Sequence, residues 1–368
     1  MPLVLAPELV YDKKFCQHPR KFRGGGITGE GLCAHMKKQR TITFEDIISA
    51  ENLLLAWEEF LPGKRNKPDV AEFSLRLTQN ILALHDDLRN GIYVHGPYQA
   101  FNISDPKPRN IHKACVRDRL LHHAIHRKLY PFFDSVFIAD SFSCRTGKGT
   151  HRALNRFRDF AYTVSKNHTR TCWVLKCDIK KFFANIDQAV LLEILDSSIS
   201  DKRCIRLFKR IISSFNAGKP GIGLPLGNLT SQLFVNTYMN EFDQFVKHSL
   251  KARHYIRYAD DFVFLSEDKG WLEELIPRID AFLSERLHLS LHPDKVFIKT
   301  FSSGVDFLGW IHFPDHRVLR TATKRRMLRG MREKDGAIAT AQSCLGLLSH
   351  GNAEKLKQEI ISTIIPFN

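Results

Sequence analysis

The sequence predicts an α+β fold whose strands gather near the middle of the chain. Apolar residues recur at helical intervals through residues 44–90, 115–133, 232–246 and 271–287. Between them lie short runs rich in β-branched and aromatic residues, 173–177, 255–258 and 262–265, too short for helices and each within two residues of an aspartate. With 43% hydrophobic residues among 368, the chain can build the core of one large unit of several subdomains.

Residues 1–42 read differently from the rest. Two Cys-x-His pairs, Cys16/His18 and Cys33/His35, flank the basic glycine-rich loop RKFRGGGITGEG. They could form a tetrahedral Cys₂His₂ zinc site, although one-residue ligand spacing is shorter than the usual knuckle; the other reading is an extended basic arm. From Thr43 the pattern is helical, with Ile47, Ile48, Leu53, Leu54, Ala56, Trp57 and Phe60 at helical intervals and Ser49 or Asp46 as caps. A basic turn, Pro62 to Pro68, leads to a second amphipathic helix, Val70 to Asn90, ended by Gly91. The chain then turns strand-like through Tyr93, Tyr98, Phe101 and Ile103. Lys107 and Arg109 occupy alternate positions of an extended segment, so both can face one way and reach a triphosphate; an exposed edge pair is the plainer alternative. Cys115 to Phe133 is read as a helix with Leu120, Leu121, Ala124, Ile125 and Leu129 inward. His122 and His126 lie one helical turn apart without a nearby acidic or cysteine partner, which favours a surface or RNA-facing role over metal binding.

The chemistry concentrates in two acidic segments. In HYIRYADDFVFL, His254 to Leu265, Asp260 and Asp261 interrupt an apolar and aromatic run where burial would penalise them. Two short strands joined at a tight turn would aim both aspartates at one place. A solvated hairpin turn is the bland alternative. Upstream, WVLKCDIKKFFANI has the same logic, with Asp178 at the end of an apolar strand. Antiparallel pairing of this strand with the hairpin would set Asp178 beside Asp260 and create a carboxylate cluster suited to two hard cations such as Mg²⁺. Two metals about 3.5–4 Å apart stabilise both oxygens of an in-line phosphoryl displacement. Asp187 is expected to cap a helix over Ala189 to Asp196. Trp271 to Leu287 reads as an amphipathic helix and Leu289 to Lys299 as a strand.

Four segments in fixed order, DIKKFF at Asp178, GLPLGNLTSQLFVN at Gly223, YADD at Tyr258 and FLGW at Phe307, resemble a bacterial reverse transcriptase. Within that family LGNLTSQ is most similar to enzymes of diversity-generating retroelements, related to group II intron-like and phage-defence enzymes. The resemblance implies a right-hand polymerase fold: a basic extension over 1–42, fingers over 43–170, a palm over 171–315 and a helical thumb over 316–368. It implies two metal ions, Mg²⁺ or in its place Mn²⁺, on Asp178, Asp260, Asp261 and the Ile179 carbonyl. Lys295 would protonate leaving pyrophosphate; Lys107 and Arg109 would grip the incoming nucleotide, with Phe183 packing under its sugar against a 2′-hydroxyl. Leu226 stands where most of the family has glutamine, and Gln232 where it has proline, so fewer polar contacts would check the nucleotide and copying would be error-prone. Gly227 would let the backbone approach the base pair. Arg145 and Lys148, in the loop SFSCRTGKGTH, would touch template backbone, joined on the nucleic acid by Ser231, Gln232, Tyr258 and the primer-gripping Phe307, Gly309 and Trp310.

A formal net charge of +16, clustered at Arg20 to Arg23, Lys37 to Arg40, Lys202 to Arg210 and Lys324 to Arg332, favours a polyanionic partner. The implied partners are template RNA, DNA product, dNTPs and a small helical accessory protein. A phage-defence role and a non-catalytic RNA-binding or maturase-like role are the competing expectations. No run of about 18 apolar residues exists, and Met1 to Val10 lacks the features of a secretory signal, so no membrane partner and a cytoplasmic location are expected. Eight scattered cysteines fit reduced thiols.

Overall fold

A computed structural model of the protein describes residues 42–104, 108–333 and 338–364. Cys16, His18, Cys33, His35 and Lys107 lie outside the described residues.

The first expected helix is two, α1 (Phe44–Ile48) and α2 (Ala50–Phe60). Ser49 breaks them because its extended backbone lets its hydroxyl accept from Asn52 N–H, while Thr43 and Asp46 form a capping box on α1. The second also divides, at Arg76, into α3 (Pro68–Leu75) and α4 (Leu77–Arg89). Tyr93 is not in a strand; it is buried in the core with its hydroxyl donating to Asp118, and strand pairing begins only at β1 (Gln99–Ile103), antiparallel to β2 (Arg109–Lys113). Next come α5 (Val116–Val136), which packs on α2, and α6 (Thr150–Val164). On α5, His122 is buried rather than surface-facing. Burial, with His95 and His123 nearby, lowers its pKa to about 3, so it stays neutral beside His95 and Thr230.

The centre of the chain supplies β3 (Trp173–Asp178), α7 (Phe182–Asn185), α8 (Gln188–Ser198), α9 (Lys202–Ile212), α10 (Leu229–His248), β4 (Tyr255–Tyr258), β5 (Asp261–Ser266), α11 (Lys269–Leu287) and β6 (Phe297–Thr300). Asp187 caps α8 as expected, accepting from Ala189 and Val190 N–H. The strand expected over Leu289 to Lys299 is shorter, because Pro293 starts a 3-10 turn, Pro293–Lys295, ahead of β6.

The strands form an antiparallel sheet in the order β4-β5-β3-β6. Alternation along each strand divides it into two faces. Leu175, Cys177, Tyr255, Phe262 and Phe264 enter the main core with α5, α8, α10 and α11. Val174, Ile256, Val263 and Leu265 enter a second core with α6. By the same parity Lys176, Asp178 and Asp261 belong to the second face, and Arg257 to the first.

A small sheet, β7 (Val305–Phe307), β8 (Trp310–His312) and β9 (Arg317–Leu319), follows. Pairing through Leu319 means that a boundary at 315 cuts this sheet. The helical piece, α12 (Thr321–Glu333), α13 (Ile338–Leu348) and α14 (Glu354–Ile364), begins at Thr321 around its own core of Met327, Met331, Ala341, Cys344, Leu348, Leu356 and Ile360. Among the described residues no helix is long and apolar enough to cross a membrane.

Candidate active site

The β4–β5 hairpin turns through Ala259 and Asp260, with Tyr258 paired to Asp261. Ala259 has φ +56°, a left-handed conformation that costs an L-residue roughly 1–2 kcal/mol. Both turn carbonyls are held from outside the hairpin ladder: Ala259 O accepts from the Arg257 guanidinium at 3.1 Å, and Asp260 O from Ile179 N–H at 3.2 Å. Asp178 stands directly across from Asp261 in the β3–β5 register. The three aspartates thus meet at one end of the sheet, Asp178 opposite Asp261 rather than opposite Asp260.

The electrostatics of this corner are unfavourable to bare carboxylates. Burial, then the charge of Asp178, raises the Asp260 pKa. Burial dominates again at Asp261 and pushes it up to about 7, with Lys176 opposing and Asp178 and Asp260 adding to the rise. Two lysines relieve the repulsion. Lys295 Nζ, in the 3-10 turn, lies 2.8 Å from Asp178 Oδ1, and Lys176 Nζ lies 3.2 Å from Asp261 Oδ2. The other oxygen, Asp261 Oδ1, is buried without a hydrogen-bond partner. A hard oxygen donor set, crowded like charges and an orphaned carboxylate oxygen fit divalent cations. Among the described residues no three His, Cys, Asp or Glu side chains are gathered closely enough to close on a metal as they stand, and Asp178 and Asp261 are each paired with a lysine.

Arg109 begins β2, and its charge reaches Asp260, where with Lys295 it opposes the rise that burial and Asp178 impose on that carboxyl's pKa. The segment at Leu226 docks on the same strand: Leu226 O accepts from His112 N–H, and Asn228 Nδ2 donates to His112 O. Asn228 therefore precedes α10 without capping it through its side chain. Gly227 has φ +105°, and a Cβ there would sit 2.9 Å from Ile111 Cγ2, so the close approach needs glycine. Phe182 is buried core, whereas Phe183 is half-buried, with its carbonyl accepting from Leu224 N–H.

The other expected contact residues take the following places. Arg145 spends its guanidinium on Asp134 and on the carbonyls of Asp134, Ile138 and Ser141, with only 5% of its side chain exposed, so it braces its own loop. Lys148 likewise donates to Ala139 O. Ser231 is buried in the first turn of α10, while Gln232 beside it is half-buried. Phe307 and Trp310 are buried in the second core; the hairpin turns between them at Leu308 and Gly309, both half-buried and at positive φ. Tyr258 is half-buried and accepts from the Thr150 hydroxyl. Sequence reasoning passed over Lys176, Asp243 and Arg257. For Lys176 a signal existed: a cation two residues before Asp178 in a strand shares its face.

The family model for reverse transcriptase (RNA-dependent DNA polymerase) matches residues 104–312. Protein YkfC of Escherichia coli is 26% identical over 295 residues, covering 69% of this chain and 75% of its own. The group II intron-encoded protein LtrA of Lactococcus lactis is 23% identical over 321 residues, covering 67% of this chain and about half of its own, 51%. Among solved structures, telomerase from Candida albicans in complex with a telomeric RNA fragment aligns with a TM-score of 0.47 and 12% identity, over 67% of this chain and 52% of that one. The family match spans more than half of the sequence and contains all three aspartates, Arg109 and Lys295: the chain belongs to the reverse transcriptase (RNA-dependent DNA polymerase) family.

Proposed function

We propose that this chain is an RNA-directed DNA polymerase that copies a template RNA into DNA, with two divalent cations held by Asp178, Asp260, Asp261 and the Ile179 carbonyl. The observation that carries this reading is the register that sets Asp178 across from Asp261 beside the strained Ala259–Asp260 turn. When bound, the ions supply the positive charge that an in-line phosphoryl displacement requires. The side chains do the rest. Arg109, whose charge already reaches Asp260, aligns the triphosphate together with Lys107. Lys295 places an ammonium at the edge of the carboxylates, where a leaving pyrophosphate can take its proton. Phe183 packs under the nucleotide sugar and disfavours a 2′-hydroxyl. In this reading 43–170 act as fingers, the central sheet and its helices as palm, and the helices from Thr321 as thumb.

The motif LGNLTSQ and Leu226 support a narrower role, error-prone copying for a diversity-generating retroelement with a small helical accessory protein; phage defence is the alternative use of the same chemistry. A maturase-like, RNA-binding reading is favoured by one fact, the similarity to the intron-encoded LtrA. Primer extension on an RNA template with Mg²⁺ separates the polymerase reading from a non-catalytic, RNA-binding one. The wild-type chain should extend the primer and Asp260→Ala should lower the rate by at least about a thousandfold, the loss expected when transition-state charge stabilisation is removed. Equal rates for both proteins would overturn the catalytic assignment.

A further inference from the structure

The least expected group near the catalytic corner is an arginine with no access to solvent. Arg257, on β4, and Asp243, on α10, form an ion pair with both side chains 0% exposed. Its five N–H donors are all used: Nε and Nη2 on the Asp243 carboxylate, Nη2 also on the Ser141 hydroxyl at 3.1 Å, and Nη1 on Asn236 Oδ1 at 3.3 Å and Ala259 O at 3.1 Å. Asp243 is completed by the Tyr255 hydroxyl at 2.8 Å. The backbone repeats the link, with Arg257 N–H donating to Asp140 O and Phe142 N–H to Arg257 O. Asn236 Nδ2 donates to Ser143 O.

A buried ion pair is seldom the most stable filling for such a space, since apolar residues of similar volume often do as well or better. Its geometry therefore points to position. Arg257 lies on the main-core face of the sheet, opposite Asp178 and Asp261, and reaches round the strand end to the carbonyl of Ala259, the turn residue held left-handed. We propose that Arg257 is a positioning residue for the aspartate turn. Anchored on Asp243, its guanidinium fixes the Ala259 carbonyl, and so the direction of Asp260, and through Ser141 it ties that turn to the 139–149 loop ahead of α6. A lysine carries the charge but has three donors on one point, and cannot serve Asp243, Ser141 and Ala259 together. The inference rests on the polymerase reading for its kinetic readout, but its metal readout stands alone.

The test compares Arg257→Lys, the double variant Arg257→Met/Asp243→Leu and a remote core variant, Leu283→Ala, in the full chain. Three quantities are read: Tm, Mn²⁺ affinity by electron paramagnetic resonance of the free ion, and kcat and KM for dNTP. Arg257→Lys should bind Mn²⁺ about tenfold more weakly, as when groups that orient metal ligands are lost. Its kcat should fall at least about tenfold with KM for dNTP within about twofold. Leu283→Ala, in the core on α11, should lower Tm at least as much while leaving Mn²⁺ affinity and kcat at wild-type values. Should Arg257→Lys fail to fold, the apolar double variant carries the test, with the same weakening expected. Wild-type Mn²⁺ affinity in a folded Arg257 variant would overturn the proposal, as would an equal loss in Leu283→Ala. A wild-type chain that extends no primer would instead sink the polymerase reading and leave the Mn²⁺ comparison to decide this one.

Discussion

Asp261 carries the sharpest consequence of the site's electrostatics. Burial raises its pKa to about 7, and Asp260 moves in the same direction, whereas an unfolded aspartate titrates near about 3.9. Between those values the folded chain holds a proton that the unfolded chain has released, so stability falls as pH rises through that window. Thermal unfolding in a chelator should show Tm decreasing from about pH 5 to pH 8, and Asp261→Asn should flatten the slope. A flat wild-type profile would mean that the corner is better solvated than its burial implies. Cations that favour the ionised carboxylates should restore Tm most at the high-pH end. At this scale residues that must be odd to be useful stand out in a sequence: aspartates in an apolar run have few explanations. Arg145, held by its own loop's carbonyls, was not legible in this way, because a guanidinium among glycines looks the same whether it faces phosphates or its own loop.

Helices were legible wherever an apolar stripe persisted, and their breaks were not. The division at Ser49 depends on a cap that competes with helix continuation, and the one at Arg76 has no proline or glycine to announce it. Strand expectations failed in the opposite sense. Tyr93 has strand character but is taken into the core by Asp118, because a buried hydroxyl needs a partner more than the residue needs a sheet. Asp201 shows how one side chain joins elements that propensity treats separately. It caps α9 through Arg203 N–H and also accepts Phe44 N–H at the start of α1, 157 residues away. Asp201→Ala should cost about 1–2 kcal/mol in urea unfolding, one cap plus one tertiary hydrogen bond. A value within error of zero would show that water replaces both.

For the whole molecule the governing quantity is charge. The net +16 includes exposed cations along α9 and α12, the kind of charge from which a protein that binds nucleic acid draws its counterion-release term. Template RNA binding should weaken at least about a hundredfold between 50 and 200 mM salt, read from filter binding at both concentrations. A shift of less than about threefold would mean that recognition is carried by uncharged contacts instead. The division of the sheet into two faces has a further consequence, for how this chain can change over generations. Because Val174 and Asp178 share a side of β3, the spacing that fills the second core also sets where the acid points. Losing one residue between them would turn the acid toward the phenylalanines of the opposite wall; losing two would preserve its heading. Length variation in this lineage should therefore fall in the connecting loops, with the strands changing letters but never their count by odd steps.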